Sequence, residues 1–231
     1  MVSKEYKIFS LSDSAITIDF GNVIDENIND FVMKLYRFCS ENPFIGIIEA
    51  MPAYASLTIF YDVLKVRKSN VEVKTAFDFV KNYLENSLQN LNNDHVIATN
   101  LINIPVIYDG EDLAFVAEHN NLTIEEVIQI HTSPIYRVYM MGFLPGFAYM
   151  GGLDARIATP RKDTPRTKVP AGSVGIAGNQ TGIYPSESPG GWQLIGRTEL
   201  QLYTPNSPEI TLLKAGDLVK FVIKSSVISL Q

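Results

Sequence analysis

The stretch GFLPGFAYMGG, residues 142–152, contains four glycines, one proline and three aromatic residues in eleven positions. Glycine reaches positive φ at little cost and proline lacks a backbone N–H, so this composition predicts a sharply bent loop, neither a regular helix nor a good strand. Loops on a rigid scaffold commonly carry functional residues. We expect Phe143, Phe147 and Tyr149 to line an apolar ligand pocket, with backbone N–H groups around Gly146 facing an anion. Packing in the core of the fold is the alternative for each ring.

Glycine, proline and positive charge are concentrated around this stretch. Residues 142–196 hold 11 of the 15 glycines and 6 of the 12 prolines of the chain. The same window contains five Lys or Arg and three Asp or Glu residues, a balance of +2 in a chain whose net charge is −6. This local excess favours a small anionic ligand, and an irregular loop stabilised by its own turns is the alternative.

Two basic residues in TPRTKVPAG, residues 164–172, are candidates for binding an anion. Two prolines stiffen this segment, and if it is extended, Arg166 and Lys168 point to the same face. An arginine can hold a carboxylate or phosphate through two parallel hydrogen bonds, and a lysine supplies a point charge. We predict that both stabilise anionic charge during catalysis. A solvated charge run is the alternative, and it describes Arg161 and Lys162 better than Arg166.

Four further side chains are candidates for the site. His131 lies at the end of a predicted helix, where its imidazole could transfer a proton or could merely stabilise the helix C-terminus. Gln180 and Tyr184 could orient an amide or a hydroxyl group. Trp192 could stack on a ligand or anchor the fold by core packing. The histidines lack closely spaced carboxylates, so no bound metal is expected.

The composition is that of an ordinary globular protein, with 46% hydrophobic and 19% charged residues. The net charge of −6 disfavours nucleic-acid binding, which usually needs a basic face. The single cysteine, Cys39, excludes an internal disulfide and cysteine-rich metal sites, and we expect it to be packed inside. The sequence shows neither a run of eighteen apolar residues nor a signal-peptide pattern, so a soluble cytoplasmic protein without membrane contact is expected.

Residues 1–93 are predicted to form a small α+β domain. Two strands within residues 5–20 precede a helix over 24–41, and two more strands within 44–62 precede a long helix over 70–91. The strands follow the period of two and the helices the period of 3.6. Two strands and a helix, repeated once, are typical of a two-layer sandwich.

Residues 94–231 are predicted to form a β-rich barrel or closed sheet with two short helices. A strand over 96–110 comes first, and Thr123 and Glu126 have the spacing of a capping box at the start of the second helix. The terminal segment 209–226 is predicted to form a β-hairpin around a Lys-Ala-Gly-Asp turn.

The block from residue 142 to residue 198 resembles one protein family. The matching elements are GFLPGF, TPRTKVPAGSV, QTGIYP and SPGGW, which start at residues 142, 164, 180 and 188. They resemble the B subunit of bacterial 5-oxoprolinase, a family also described as the kinase inhibitor KipI, as allophanate hydrolase subunit 1 and as carboxyltransferase subdomains C and D.

This resemblance implies a small α+β N-terminal domain followed by a cyclophilin-like β-barrel domain. It also implies two partners, the KipA-like C subunit and the A subunit of 5-oxoprolinase, with which the chain would convert 5-oxo-L-proline to L-glutamate in an ATP-dependent reaction. The sequence has no P-loop, so an ATP site would be of another kind, shared with the partner subunit. We expect the isolated chain to be inactive and to hold neither metal nor biotin.

Two alternatives follow from the same resemblance. The first is a binding module that inhibits a sensor histidine kinase without catalysing a reaction. The second is a carboxyltransferase-like subunit of urea or allophanate metabolism, which would need a biotin carrier and a biotin carboxylase that this chain lacks.

Overall fold

The computed structural model describes residues 5–91 and 100–224. The chain divides into two compact units, residues 1–98 and 99–231. The predicted domain boundary between residues 93 and 94 falls outside the described residues, so its position stays a prediction. The predicted α+β fold class is confirmed.

The first unit is a four-stranded antiparallel sheet with helices packed against it. Its sheet order is β1-β2-β4-β3. The alternating residues Ile16, Ile18, Leu57 and Ile59 are fully buried beneath the helices, as the period of a strand requires, and Cys39 is buried in the same core. The elements are β1 (Lys7–Ser12), β2 (Ala15–Asp19), α1 (Glu26–Glu41), β3 (Ile47–Pro52), β4 (Ser56–Tyr61), α2 (Val63–Ser69) and α3 (Ala76–Asn90).

The long helix predicted over residues 70–91 is wrong at its start. Residues 70–75 are not helical, and they separate α3 from the shorter helix α2. The Asp62 carboxylate caps α2, and the Thr75 hydroxyl caps α3 by accepting a hydrogen bond from the Asp78 N–H at 3.0 Å. The predicted helix therefore begins six residues before α3, and the short helix α2 is not predicted at all. Apolar spacing alone does not mark where a helix starts, whereas the Thr75 cap does.

The second unit is a nearly closed seven-stranded barrel, which confirms the predicted architecture. Its first six elements are β5 (Leu101–Val106), α4 (Leu113–His119), α5 (Ile124–Thr132), β6 (Tyr136–Met141), β7 (Ala148–Gly151) and a 3-10 turn (Ala155–Ile157). The others are β8 (Arg166–Val169), β9 (Ser173–Ala177), β10 (Gln180–Ile183), β11 (Ser188–Gly190), β12 (Gln193–Arg197) and β13 (Leu218–Ile223).

The barrel closes between the first and the last strand of its sheet. The order is β12-β9-β10-β7-β6-β13-β5, and β8 pairs with β11 in a separate two-stranded ribbon. Ile107, just after β5, exchanges two backbone hydrogen bonds of 2.8 Å with Arg197 of β12. This pairing joins the two edge strands and so removes exposed sheet edges.

The β-hairpin predicted over residues 209–226 is wrong, although its turn forms. The Asp217 N–H donates to the Lys214 carbonyl at 3.1 Å, and the Asp217 carboxylate accepts from the Lys214 N–H at 2.8 Å. The segment after the turn, β13, pairs with β6 and lies parallel to β5. The parallel partner β5 lies at the beginning of the unit, far from β13 in the chain, so this pairing leaves no local signal in the sequence. The turn residues do leave a local signal, and that signal favours a hairpin.

The stretch GFLPGFAYMGG is part loop and part strand. Residues 142–147 form the bend, whereas residues 148–151 form β7, which pairs with β6 and β10. The expectation of a poor strand is therefore wrong for these four residues. Strands on both sides satisfy their backbone groups and so override the weak local preference.

The apolar residues of the second unit form two clusters. The larger fills the barrel and includes Ile176 and Ile195. Their chain neighbours Ala177 and Leu194 belong to the smaller cluster. Successive residues of a strand point to opposite faces, so the smaller cluster lies outside the barrel. This outer aromatic layer consists of Phe147, Val169, Ala177, Tyr184, Trp192 and Leu194.

Candidate functional site

The aromatic residues predicted from the sequence meet around Phe147. Phe147 is 1% exposed, and its ring centroid lies 4.8 Å from that of Tyr149 and 5.4 Å from those of Tyr184 and Trp192. The Tyr184 and Trp192 rings meet Phe147 edge to face, at interplanar angles of 79° and 89°, whereas the Tyr149 ring is tilted by 60°. Phe143 lies at the rim, 61% exposed, with its ring 5.6 Å from Phe147. The structure therefore brings these rings together, and a ligand among them stays a prediction.

The bend over residues 142–147 requires positive φ at two positions. The φ angle is 67° at Phe143 and 85° at Gly146. A Cβ at Gly146 would lie 3.0 Å from Tyr203 Cβ and 3.1 Å from the Leu202 carbonyl oxygen, so only glycine fits. A bulky residue with positive φ is strained, and such strain is concentrated at functional sites. The strained backbone presents the Phe143 ring to solvent.

Trp192 packs against two glycines on the outer face of the barrel. A Cβ at Gly175 would lie 3.1 Å from Trp192 Cβ, and one at Gly182 would lie 3.0 Å from Trp192 Cζ3. Only glycine lets the indole approach β9 and β10 this closely. Trp192 is 5% exposed, so most of its surface is used in packing.

Arg166 has protein partners on every side of its guanidinium group. Its Nη2 lies 2.5 Å from Asp112 Oδ2, its Nη1 donates to the Trp192 carbonyl at 3.2 Å, and its Nε pairs with Glu111. The Nζ of Lys162 lies 3.1 Å from the second Asp112 oxygen. The side chains of Arg166 and Asp112 are only 15% and 7% exposed. Arg166 therefore acts as a structural clamp that joins Glu111 and Asp112 to the Trp192 backbone. Its direct contact with a ligand stays a prediction.

The Asp112 carboxylate remains ionised despite its burial. Burial acts to raise the pKa of this carboxyl group, but the Leu194 backbone N–H, Arg166 and Lys162 together outweigh it and lower the pKa. The Leu194 N–H donates to Asp112 Oδ2 at 2.7 Å. Asp112 precedes α4 directly, so its carboxylate ties the start of α4 to β8 and β12.

Arg161 has different surroundings from its basic neighbours. Within residues 5–91 and 100–224 no carboxylate pairs with it, and its Cζ lies 5.9 Å from the centroid of the Trp192 ring. Burial raises the pKa of both Tyr149 and Tyr184, and the Arg161 charge acts in the opposite direction on each. The sequence pattern predicts that Arg161 belongs to a solvated charge run, whereas the structure places it on the outer aromatic layer.

Lys168 and Arg166 do not share the face that alternation predicts. Lys168 is 68% exposed and pairs with Glu187 at 3.0 Å. The register of the β8–β11 ribbon shifts between Ser188 and Gly190, which breaks the regular alternation. Gln180, which the sequence also proposed as a site residue, is half-buried at the start of β10.

His131 lies inside the barrel and is fully buried. Its Nδ1 is 2.7 Å from the Tyr108 hydroxyl, and its Nε2 is 3.0 Å from Thr181 Oγ1. The Thr181 hydroxyl donates to the Gly175 carbonyl, so it accepts from a protonated Nε2, and Nδ1 accepts from Tyr108. The imidazole is thus held in one neutral form in the core, away from solvent, and a role in proton transfer stays a prediction.

Comparison with known proteins places this chain in a family. Residues 6–213 match the family described as carboxyltransferase domain, subdomain C and D. The chain belongs to this family. A close relative is the B subunit of 5-oxoprolinase from Bacillus subtilis, which is 49% identical over 221 residues, 94% of this chain and 92% of that protein. The resemblance inferred from the block at residues 142–198 is confirmed.

Two further similarities show how the carboxyltransferase C and D fold is used in longer chains. The solved structure of TTHA0988 has a TM-score of 0.79 at 34% identity, and the match covers 91% of this chain but only 40% of that one. Urea amidolyase of Saccharomyces cerevisiae is 25% identical over 213 residues, 80% of this chain and 11% of that protein. In both proteins the region equivalent to this chain is part of a longer polypeptide.

Sequence reasoning misses two residues of this carboxyltransferase C and D domain. The sequence places Asp112 only in a helical segment, because its partner Arg166 is 54 residues away along the chain. Arg161 is missed because the pattern Arg-Lys-Asp is typical of a solvated segment. The position of Asp112 directly before an apolar helical run indicates only an N-cap, and its side chain makes no capping hydrogen bond, so no local signal reveals its pairing with Arg166.

The burial of His131 predicts a specific loss of stability in acid. Burial lowers its pKa to about 3, below the usual value of 6.5, so the unfolded state binds a proton that the folded state does not. Between about pH 6.5 and about pH 3 this group should reduce the free energy of unfolding by up to about 1.4 kcal/mol per pH unit. Urea unfolding at several pH values, followed by fluorescence of the single tryptophan, measures this slope.

Two variants distinguish the contribution of His131 to this loss of stability from the contributions of other titrating groups. His131→Gln should show a shallower loss of stability over this range, because glutamine takes up no proton. His119→Gln is the matched control, since His119 is exposed on α4, and it should keep the wild-type slope. Equal slopes for wild type and His131→Gln would contradict the assignment.

The arrangement of acidic residues and the lengths of the helices bear on metal and membrane binding. Over residues 5–91 and 100–224, no group of three or more His, Cys, Asp or Glu side chains is arranged to hold a metal ion. None of the helices in these ranges is both long and apolar enough to cross a bilayer. The expectation that the chain binds no metal stays a prediction.

Proposed function

We propose that this chain is one component of an ATP-dependent 5-oxoprolinase complex, which converts 5-oxo-L-proline to L-glutamate. The observation that carries the proposal is the 49% identity with the B subunit of 5-oxoprolinase over 92% of that protein. The margin of the outer aromatic layer supports it, because the exposed Phe143 ring, the half-buried Tyr149 ring and the Arg161 cation next to Trp192 suit a small cyclic substrate with a negative charge.

The chemistry explains why such an enzyme needs ATP. A lactam is a resonance-stabilised amide, so water alone attacks it poorly. Phosphorylation of the lactam oxygen by ATP would make the carbonyl carbon more electrophilic, so that water adds there and the ring C–N bond breaks with the amine as leaving group. Hydrolysis of the resulting acyl phosphate would then give glutamate and inorganic phosphate. The residues of this chain would bind and orient the substrate. Phe143 and Tyr149 supply the apolar surface, Gly146 shapes the loop, and the ion pair of Arg166 and Asp112 holds the backbone of the buried Trp192.

The nucleotide and the catalytic groups would come in part from partner subunits. The glycine-rich segment GIAGNQTG does not need a phosphate to explain it, since Gly175 and Gly182 seat Trp192. The equivalent fold in TTHA0988 is covalently joined to a longer region, which supports a close partner for this chain. We propose that this partner is the C subunit of 5-oxoprolinase, acting with the A subunit, and that the isolated chain is inactive.

Release of glutamate tests the proposal directly. The chain is purified together with its partner subunits, and glutamate formed from 5-oxo-L-proline is measured with and without ATP. We expect ATP-dependent glutamate only when this chain is present. A folded and assembled complex that releases none would refute the proposed function.

The family description favours a second candidate, a carboxyltransferase-like subunit of urea metabolism. The similarity to urea amidolyase over 80% of this chain supports it. Such an activity would need a biotin carrier and a biotin carboxylase on other chains. Carboxylation of urea by the purified complex, supplied with biotinylated carrier, biotin carboxylase, ATP and bicarbonate, would distinguish this candidate. Inhibition of a histidine kinase stays a prediction, and kinase autophosphorylation in the presence of the chain is its assay.

A further inference from the structure

We propose that Arg161 binds the carboxylate of a small, flat, singly charged ligand at the exposed margin of the outer aromatic layer, next to Trp192. In the proposed reaction this ligand is 5-oxo-L-proline. The identity of the ligand rests on the proposed function, whereas the position of the binding site rests on the geometry around Arg161.

Charge pairing singles out Arg161 among the basic residues of this region. Every other Lys or Arg between residues 142 and 196 has a carboxylate within 4.0 Å, whereas none within the described ranges pairs with Arg161. An arginine without a counter-ion is available to an anionic ligand. The occupied pairs are Arg156 with Asp154, Lys162 with Asp112, Arg166 with Glu111 and Asp112, and Lys168 with Glu187.

The backbone holds Arg161 in front of Trp192 before any ligand arrives. Pro160 precedes Arg161 and Gln193 follows Trp192, and the Gln193 side-chain amide donates a hydrogen bond to the Pro160 carbonyl at 2.8 Å. Lys162 follows Arg161 and Gly191 precedes Trp192, and the Lys162 N–H donates a hydrogen bond to the Gly191 carbonyl at 2.8 Å. Such preorganisation reduces the entropy lost on binding.

The ion cluster fixes the same two segments from the other side. Lys162 and Arg166 both pair with Asp112, and Arg166 also donates to the Trp192 carbonyl. The segment that carries Arg161 and the segment that carries Trp192 are therefore attached to one buried carboxylate. These contacts hold the backbone on both sides of Arg161 in place, and so they restrict movement of Arg161 relative to the indole ring.

The groups around Arg161 suit a carboxylate. A guanidinium group near an indole face keeps its N–H groups in its own plane, where two of them can hold both oxygens of a carboxylate. The half-buried Tyr149 ring lies against the same indole, with ring centroids 5.9 Å apart. Because the neighbouring cations are neutralised, Arg161 presents one positive charge, which matches a monoanion better than a nucleotide phosphate.

Two measurements test this assignment. The chain contains a single tryptophan, Trp192, so its fluorescence reports on the site itself. We titrate the full chain with 5-oxo-L-proline, with 2-pyrrolidinone, which is the same lactam without the carboxylate, and with ATP. In the assembled complex we measure the KM for 5-oxo-L-proline. The variants are Arg161→Gln, Arg161→Lys and, as a matched surface arginine, Arg156→Gln.

We expect a saturable signal with 5-oxo-L-proline and none with 2-pyrrolidinone. Arg161→Gln should weaken binding, and raise the KM, by about tenfold or more, because a charge-assisted hydrogen-bond pair is lost. Arg161→Lys should recover part of the affinity, since it keeps the charge without the two-pronged geometry. Arg156→Gln should behave as wild type, because Arg156 is 66% exposed and pairs locally with Asp154.

The outcomes separate this inference from the proposed function. Glutamate release with an unchanged KM in Arg161→Gln would overturn the inference and leave the proposed function intact. A complex without glutamate release would refute the proposed function, and the titration would then decide the inference alone. In that case, a signal lost in Arg161→Gln supports it, whereas no signal, an equal signal in the variant or a response only to ATP overturns it.

Discussion

Replacing Arg166 with methionine should lower the free energy of unfolding of the second unit by about 3 kcal/mol, because it leaves a buried carboxylate with too few partners. Asp112 is 7% exposed and would keep only Lys162 and the Leu194 N–H. The expected loss is measured by urea unfolding followed through the Trp192 fluorescence. A change in the Trp192 emission of the folded state should accompany it, since Arg166 donates to the Trp192 carbonyl.

The control for Arg166→Met is the exposed pair of Arg156 and Asp154. Arg156→Met removes the same group from an exposed surface ion pair, which contributes little to stability because water and salt screen it. Arg166→Lys should recover little of the loss, because a lysine cannot reach Asp112, Glu111 and the Trp192 carbonyl at once. An unfolding free energy of Arg166→Met equal to that of Arg156→Met would show that the clamp does not stabilise the unit.

The second large effect is expected at Gly110, where an alanine should disrupt the closure of the barrel. A Cβ at this position would lie closer than 3.0 Å to backbone atoms of Leu194, Ile195 and Gly196 in β12. Backbone cannot move aside as a flexible side chain can, so the strand must shift. We expect Gly110→Ala to cost about 3 kcal/mol, at the upper end of the usual range for overpacking.

The consequence of Gly110→Ala should reach the site as well as the barrel. The Gly110 N–H donates to the Ile195 carbonyl at 3.3 Å, and the Asp112 N–H donates to the Leu194 carbonyl at 2.9 Å, so a shift of β12 displaces Asp112. Gly178→Asn is the control, since nothing lies within 4 Å of a Cβ there and asparagine tolerates its φ of 56°. Thermal unfolding of the two variants is compared with that of wild type. If Gly110→Ala is as stable as Gly178→Asn, the close approach at Gly110 does not control barrel closure.

The helices and the barrel strands show which parts of the fold are predictable. The capping box of Thr123 and Glu126 forms as predicted, because its hydrogen bonds join residues three apart in the chain. The predicted hairpin at residues 209–226 fails, because β13 pairs with β5 rather than with the segment before its turn. Local hydrogen bonds leave a local pattern, and distant strand pairing does not.

The candidate site divides in the same way. The sequence alone determined the family, the α+β class and the concentration of glycines and rings in residues 142–196, since these depend on residue identity and on short spacings. Only the tertiary structure decided that Asp112 neutralises Arg166 and that Arg161 lies over Trp192. The physical reason is that the charge state of a site depends on which distant groups share it, and folding alone brings those groups together.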